Sequence, residues 1–236
     1  HFVRKDDSKQ ILYYDFFELL HNAFRGNWSD IKEFDEDLVT QNLRVGETWH
    51  AVNYLLVHGH VKTDRGDFEG AKTIIGQVDG IWKVYGNENA LAAKQYVELR
   101  LLVVRRKLLD AQRLADDAFR RSETHRPAVL YYLGYNAIVH ILLNNPTAAK
   151  ALLLQAKTTG YRKDLPPIYV SSYIVGQFFF DLTMLERALN AENNEEILKY
   201  RERARTSGKS ALRNAGKYAF NKTEVLRLKG LPHWVL

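Results

Sequence analysis

The amino-acid sequence predicts an all-α fold in which about five antiparallel helix hairpins stack into an α-solenoid. Apolar residues recur at steps of three and four along long segments, and no stretch shows sustained alternation with period two. In the segment ILYYDFFELLHNAF, for example, one helix face collects Tyr13, Phe16, Phe17, Leu20 and Phe24. A turn motif also recurs about every 40 residues, which is the length of two helices and two turns.

Breaks at Gly, Asn, Asp and Pro set the predicted helix bounds. The expected helices lie at 9–24, 28–44, 47–64, 68–85, 88–105, 108–123, 127–143, 146–159, 166–190, 193–216 and 222–230. They form one domain over residues 1–236, with repeats at 9–46, 47–86, 87–125, 126–161 and 166–217 and a partial repeat at 218–236. Because the chain starts at His1 and ends in an apolar-periodic segment, we expect it to be part of a longer protein.

The recurring turn explains a tripeptide that otherwise suggests an adhesion ligand, Arg65-Gly66-Asp67. Related strings recur at the same phase: RGNWSDI at 25–31, RGDFEGA at 65–71, RRKLLDA at 105–111 and, more weakly, NNPTAA at 144–149 and ENNEEI at 192–197. An adhesive tripeptide has no reason to recur in this way, whereas a hairpin turn does. Gly26 and Gly66 are expected to end one helix in the left-handed conformation, and Asp67 to cap the next helix. Phe68 and Ala71 should pack inside the hairpin.

The string HGHVKTDRGDFEGAKTII resembles the tetratricopeptide (TPR) helix-turn-helix. The matching residues are Gly59 in the first helix, Gly66 at the turn, and Phe68, Ala71 and Ile75 in the second helix. YYLGYNAI supplies a comparable small residue, Gly134. The resemblance implies a right-handed superhelix, although the period exceeds the TPR value of about 34 residues. Longer periods are typical of the irregular TPR-like arrays of large bacterial signalling ATPases and transcriptional regulators, whose repeat region the segment SALRNAGKYAFNKTEVLRLKG also resembles.

Composition excludes several classes of chemistry. The chain has no cysteine, which excludes disulfides, thiol catalysis and Cys-ligated zinc and is compatible with a reducing cytosol. Neither a signal peptide nor an apolar run long enough to span a membrane is apparent, so we expect a cytoplasmic protein without a membrane partner.

Short strings that suggest catalysis or ligand binding have simpler interpretations. SGKS at 207–210 lacks the earlier glycine of a phosphate-binding loop, and HGH at 58–60 has its imidazoles two residues apart, where a helix points them away from each other. The carboxylates of ADD at 115–117 and EFDED at 33–37 have no catalytic partner nearby in sequence. We therefore predict no catalytic residue, no metal site and no cofactor.

Charge is uneven along the chain. Residues 1–100 hold 12 Lys and Arg against 16 Asp and Glu, whereas residues 101–236 hold 22 against 12. Arg205, Lys209, Arg213 and Lys217 follow each other at steps of four, which places them in one stripe along a helix. The stripe is either a solvated face or a docking site for an acidic surface, a nucleic-acid backbone or a nucleotide held by a neighbouring domain. Since no helix-turn-helix or RNA-binding motif lies in the stripe, we expect no sequence-specific nucleic-acid recognition.

Aromatic residues are abundant and cluster in the first helix of successive hairpins, the helix that lines the inner wall of TPR-like arrays. The candidate groove residues are Tyr14, Tyr54, Tyr96, Tyr132 and Tyr173, with ordinary packing between helices as the alternative. The predicted function is a non-enzymatic regulatory module that binds a protein or peptide segment, including one from another domain of the parent chain. The alternative is an effector-sensing domain that binds a small molecule in the concave aromatic groove.

Overall fold

A computed structural model describes the chain at residues 5–122, 126–160 and 165–231. Within these ranges every regular element is helical, which confirms the all-α prediction. Two short 3₁₀ helices lie at Trp28–Asp30 and Ala219–Asn221. The α-helices are α1 (Lys5–Arg25), α2 (Glu36–Arg44), α3 (Thr48–Asp64), α4 (Phe68–Tyr85), α5 (Glu88–Val104), α6 (Leu108–Arg121), α7 (Arg126–Leu142), α8 (Pro146–Gly160), α9 (Pro167–Asn190), α10 (Asn194–Ala215) and α11 (Lys222–Gly230).

The second predicted helix, at 28–44, is wrong in its first half. The chain leaves the 3₁₀ helix at Ile31 in an extended conformation and starts α2 only at Glu36. Asp35 sets this start, because its carboxylate accepts a hydrogen bond from the backbone N–H of Leu38 at 2.8 Å. Phe34 meanwhile packs its ring 6.0 Å from the ring of Tyr54 in α3. A local N-cap and a distant aromatic contact together override the helical pattern.

The contacts of the chain group it into two compact units, His1–Arg105 and Arg106–Leu236. In the first unit α1 packs against α2 and α3, and α3 packs in turn against α4 and α5. A side chain at Gly59 would meet Val97 at 2.8 Å, so this glycine lets α3 and α5 approach closely. Arg100 of α5 also donates two hydrogen bonds of 2.9 Å to the carboxylate of Asp64 at the end of α3.

In the second unit α7 packs against α6, α8 and α9, and α9 packs against α8, α10 and α11. The backbones of α7 and α9 touch at Gly134, where a Cβ atom would lie 2.3 Å from the backbone nitrogen of Tyr173. A buried polar network joins α9 to the following elements. Ser171 donates to the side-chain oxygen of Asn214 at 2.6 Å and accepts from the side chain of Asn221 at 2.6 Å.

The recurring turn contains a left-handed residue at each of its five positions. Its left-handed residue is Gly26, Gly66, Arg106, Asn144 or Glu192, and the step to Glu192 is the longest in the series. At Gly66 the φ angle is 79°, and the N–H of Asp67 donates to the carbonyl of Lys62 at 2.9 Å. The equivalent bonds from Asn145 to His140 and from Asn193 to Ala188 measure 2.8 and 3.0 Å. This is the Schellman arrangement, which satisfies carbonyls at the end of a helix.

At three of the five turns, the side chain after the left-handed residue caps the next helix. The carboxylate of Asp67 accepts from the N–H of Gly70 at 2.9 Å, and Asn145 and Asn193 cap in the same way at 3.2 and 3.1 Å. Within the first unit, successive turns also touch each other. Arg65 donates to the backbone carbonyl of Trp28, and the Arg105 guanidinium lies 5.7 Å from the centre of the Phe68 ring.

One helix of the described residues, α9, is long and apolar enough to cross a membrane by length and composition. Two-thirds of its apolar stretch is buried inside the structure, which is also what the core helix of a folded domain shows.

Candidate functional site

A groove on the second unit is the candidate site. It runs between α9 and α10 and is closed at one side by α11, with a volume of about 360 Å³. Its floor is apolar and its edges are basic. The residues that line it are Phe178, Leu182, Leu185, Arg201, Ala204, Arg205, Gly208, Lys209, Leu212 and Lys229, and we call this site the basic groove.

Residue spacing on α10 builds one wall of the basic groove. Arg201, Arg205 and Lys209 follow at steps of four, so their side chains lie along one side of the helix. The small residues Ala204 and Gly208 lie beside them and leave the floor deep. A Cβ atom at Gly208 would lie only 2.9 Å from the Phe178 ring, so a larger residue there would push α9 and α10 apart.

Among the described residues, most cations around the groove form no ion pair with an acidic side chain. Arg205 is the exception, because it donates to both carboxylate oxygens of Glu202 at 2.9 and 3.0 Å. Arg201, Lys209 and Lys229 form no ion pair with any residue that the structure describes. Three such charges beside an apolar floor favour a ligand that is both anionic and apolar.

Asp181, a buried acid next to the groove residue Leu182 in sequence, does not cancel these charges. Asp181 of α9 has a side chain only 3% exposed and pairs with Arg203 of α10 at 3.0 Å. Burial raises the pKa of Asp181, while Arg203 and hydrogen bonds from Ser207 and Gln177 oppose that shift. Since Arg203 already neutralises this carboxylate, the pair holds α9 against α10 and leaves the groove positive.

The structure divides the predicted basic stripe. Arg205 and Lys209 line the groove, whereas Arg213 and Lys217 are exposed and lie outside its lining. Two groove cations are not in the stripe, Arg201 and Lys229. Arg201 lies four residues before Arg205, so the same spacing could have identified it. Lys229 reaches the groove only because α11 folds beside α9 and α10, which residue spacing does not show.

Four of the five tyrosines predicted to line a groove are buried. Tyr54, Tyr96, Tyr132 and Tyr173 are only 2, 6, 0 and 8% exposed, so they belong to the packing between helices. Tyr54 shows why, since its hydroxyl oxygen accepts a hydrogen bond of 3.3 Å from the backbone N–H of Asp35. Burial also raises the pKa of the Tyr54 and Tyr132 hydroxyls. The fifth residue, Tyr14, is 70% exposed.

Tyr14 belongs to a larger exposed group of rings on the first unit. Tyr13, Phe17 and Trp49 are 45, 44 and 52% exposed. The Tyr13 ring centre lies 4.6 Å from that of Phe17 and 5.9 Å from that of Tyr14. Trp49, in the first turn of α3, lies beside α1 through a 6.0 Å contact with Phe16. We call Ile11, Tyr13, Tyr14, Phe17 and Trp49 the aromatic surface.

The strings that suggested catalysis lie in structural positions. His58 and His60 are 3 and 1% exposed, and burial lowers the pKa of both, that of His58 to about 4. Both imidazoles are therefore neutral packing groups at pH 7. SGKS lies inside α10 and does not follow a strand. Over the described ranges, no group of three His, Asp or Glu residues is placed to hold a metal ion.

Comparison with known proteins gives no relative, since no family model, no curated protein and no solved structure matches the chain. The TPR resemblance of residues 59–75 therefore stays a prediction.

Proposed function

We propose that the chain is a non-enzymatic binding module whose basic groove docks an acidic, amphipathic helical segment of a protein partner. The helical fold, the recurring turn and the contacts from α1 to α3 to α5 support a TPR-like stack of hairpins. A right-handed superhelix within a larger cytoplasmic signalling protein is the setting that we propose for it. The three unpaired cations beside the apolar floor of the groove carry the proposal.

The dimensions of the groove suit a helix as ligand. On α10 the lining runs from Arg201 to Leu212, which is about 16 Å at 1.5 Å per residue, or three helical turns. A ligand helix of this length places apolar residues at i, i+3 or i+4 and i+7 against one groove. Those residues would cover Phe178, Leu182 and Leu185 at the floor.

The cations supply the selectivity. Any apolar helix gains from covering the floor, but only one with acidic residues beside its apolar stripe meets Arg201, Lys209 and Lys229. Acidic residues at steps of four would match the spacing on α10. Complementary charges speed association and exclude partners of the wrong sign.

The test uses a synthetic peptide as probe. It is about 16 residues long, with Leu on one helical stripe and Glu at steps of four beside it. Fluorescence anisotropy of the labelled peptide should show binding to the wild-type chain. Lys209→Glu should weaken binding by about tenfold or more, because it replaces an attraction with a repulsion at the edge of the groove.

The control is Lys217→Glu, which makes the same charge change near the end of the same helix but outside the groove. We expect it to weaken binding less than about twofold, since Lys217 is exposed and lies outside the lining of the groove, where solvent and salt screen its charge. Equal losses from the two variants would indicate a diffuse charge effect and contradict the groove. Binding of a matched peptide with Lys in place of Glu would do the same.

A small anionic amphiphile is the second candidate ligand, and the volume of the groove favours it. About 360 Å³ lies within the range of about 300–1,000 Å³ that small-molecule sites show. This form of effector sensing would use one aromatic ring, Phe178, instead of the predicted row of tyrosines. Decanoate that displaces the peptide and raises the unfolding temperature of wild type, but not of Lys209→Glu, would support this candidate.

A further inference from the structure

We infer that a second copy of this chain can occupy the basic groove, with the exposed face of its α1 as the docked helix. The inference rests on the proposed function, because it names a partner for that same groove. It joins the basic groove on the second unit of one copy to the aromatic surface on the first unit of another.

Helix α1 is apolar on two faces. Its inner face holds Leu12, Phe16 and Leu19, which are at most 5% exposed. Its outer face holds Ile11, Tyr14 and Phe17, which follow at steps of three and are 45, 70 and 44% exposed. No described residue covers this second stripe, and contiguous apolar surface of this kind marks interaction sites.

The outer face of α1 is also acidic. Glu18 is 51% exposed beside Phe17, and it shares Lys32 with Asp15 at 2.7 and 2.9 Å. These three side chains leave one net negative charge next to the apolar stripe. The segment 30–37 adds Asp30, which lines a small cavity with Asp15 and Glu18. The face therefore has the composition that the groove requires, an apolar stripe with acidic residues beside it.

Charge complementarity extends beyond the contact itself. Residues 5–50 hold ten Asp and Glu against five Lys and Arg. Residues 199–229 hold ten Lys and Arg against two Glu. Opposite net charges attract the acidic segment of one copy to the basic segment of another. Segments of the same charge on two copies repel each other.

The exposed face of α1 is also short enough to fit along the groove. Ile11 to Glu18 spans about 10 Å along α1, and the groove extends about 16 Å along α10. Because the two surfaces differ, the contact is heterologous. A bound pair keeps one free aromatic surface and one free groove, so association continues from head to tail.

The test is a mixing experiment followed by sedimentation velocity. Wild type in about 50 mM NaCl should form species larger than the monomer as its concentration rises toward about 100 µM. One variant carries Tyr14→Ser and Phe17→Ser on α1, and another carries Arg201→Glu and Lys209→Glu in the groove. Each variant alone should stay monomeric. Their mixture should form a 1:1 dimer and nothing larger, because only one intact surface remains on each copy.

Circular dichroism and the unfolding temperature check that both variants are folded, and about 500 mM NaCl should reduce association of the wild type. A monomeric wild type over the whole range, or a mixture that stays monomeric, would overturn the inference. The acidic peptide separates this failure from failure of the groove. The Tyr14→Ser and Phe17→Ser variant keeps its groove and should bind the peptide as wild type does. If the peptide binds but the chain does not self-associate, the proposed function stands and only the second copy is ruled out as the partner.

Discussion

At the scale of single residues, Gly66 and Asp67 have separable roles in one turn. Gly66 has a φ angle of 79°, which costs a β-branched residue about 1–2 kcal/mol, so Gly66→Val should lower the free energy of unfolding by about that amount. Asp67→Asn keeps the oxygen that caps Gly70 and loses only an exposed ion pair with Lys62, so its cost should stay below about 1 kcal/mol. Urea unfolding measures the change in unfolding free energy for both variants. A larger loss from Asp67→Asn than from Gly66→Val would contradict this description.

The buried His58 should make the stability of the first unit depend on pH. Its pKa falls from 6.5 to about 4, chiefly through burial and secondarily through Lys62 and Arg65. The unfolded chain then binds more protons than the folded one between these two values. The resulting stabilisation is complete above pH 6.5 and is lost as the pH falls through 4. The full difference corresponds to about 3 kcal/mol.

A His58→Gln variant removes this titration. The loss of unfolding free energy between pH 7 and pH 4.5, measured with urea, should be smaller than in wild type by about 2 kcal/mol. The groups that line the same small cavity, Asp15, Glu18, Asp30, Lys32 and Tyr54, stay in place in both proteins. Identical pH profiles for the two proteins would show that His58 is not a buried neutral group.

At the scale of helices, substitution by Ala should have opposite effects on stability at a glycine of α7 and a glycine of α4. Gly134 lies where α7 meets α9, with Tyr173 nitrogen 2.3 Å from an added Cβ, so Gly134→Ala should destabilise the chain by about 1–3 kcal/mol. No described residue has an atom within 4 Å of a Cβ added at Gly76 in α4, so Gly76→Ala should stabilise the chain by about 0.5–1 kcal/mol. Thermal unfolding compares them. A neutral or stabilising Gly134→Ala would contradict close contact between α7 and α9.

Most helix bounds follow from local sequence, because apolar spacing, Asn and Asp caps and left-handed turn residues act over a few residues. The first half of the second helix does not, since Phe34 leaves the helical path to reach Tyr54, a ring in the middle of α3. Aromatic spacing likewise predicts a helix without showing which side is covered. On α1 the neighbouring helices bury Phe16 at 5% exposure and leave Tyr14 at 70%.

At the scale of the whole molecule, the uneven charge is visible in the sequence, but the groove is not. Arg205 and Lys209 could be placed on one stripe because they lie four residues apart on one helix. The apolar floor beside them comes from α9, and a further positive charge, Lys229, comes from α11. Only the packing of three helices brings these residues together, and that packing decides which cations of the stripe face a cavity and which face solvent.

The turn-to-turn contacts of the first unit also bear on how such a chain could change its length during evolution. Arg65 reaches the turn at Trp28, and Arg105 reaches the turn at Phe68, from corresponding positions in successive repeats. Gain or loss of one complete hairpin that begins and ends at these turns would bring an arginine back beside the preceding turn. Gain or loss of a segment of a different length would separate the arginine from that turn. The recurring turns therefore mark where a duplication or deletion can occur without changing the packing between helices.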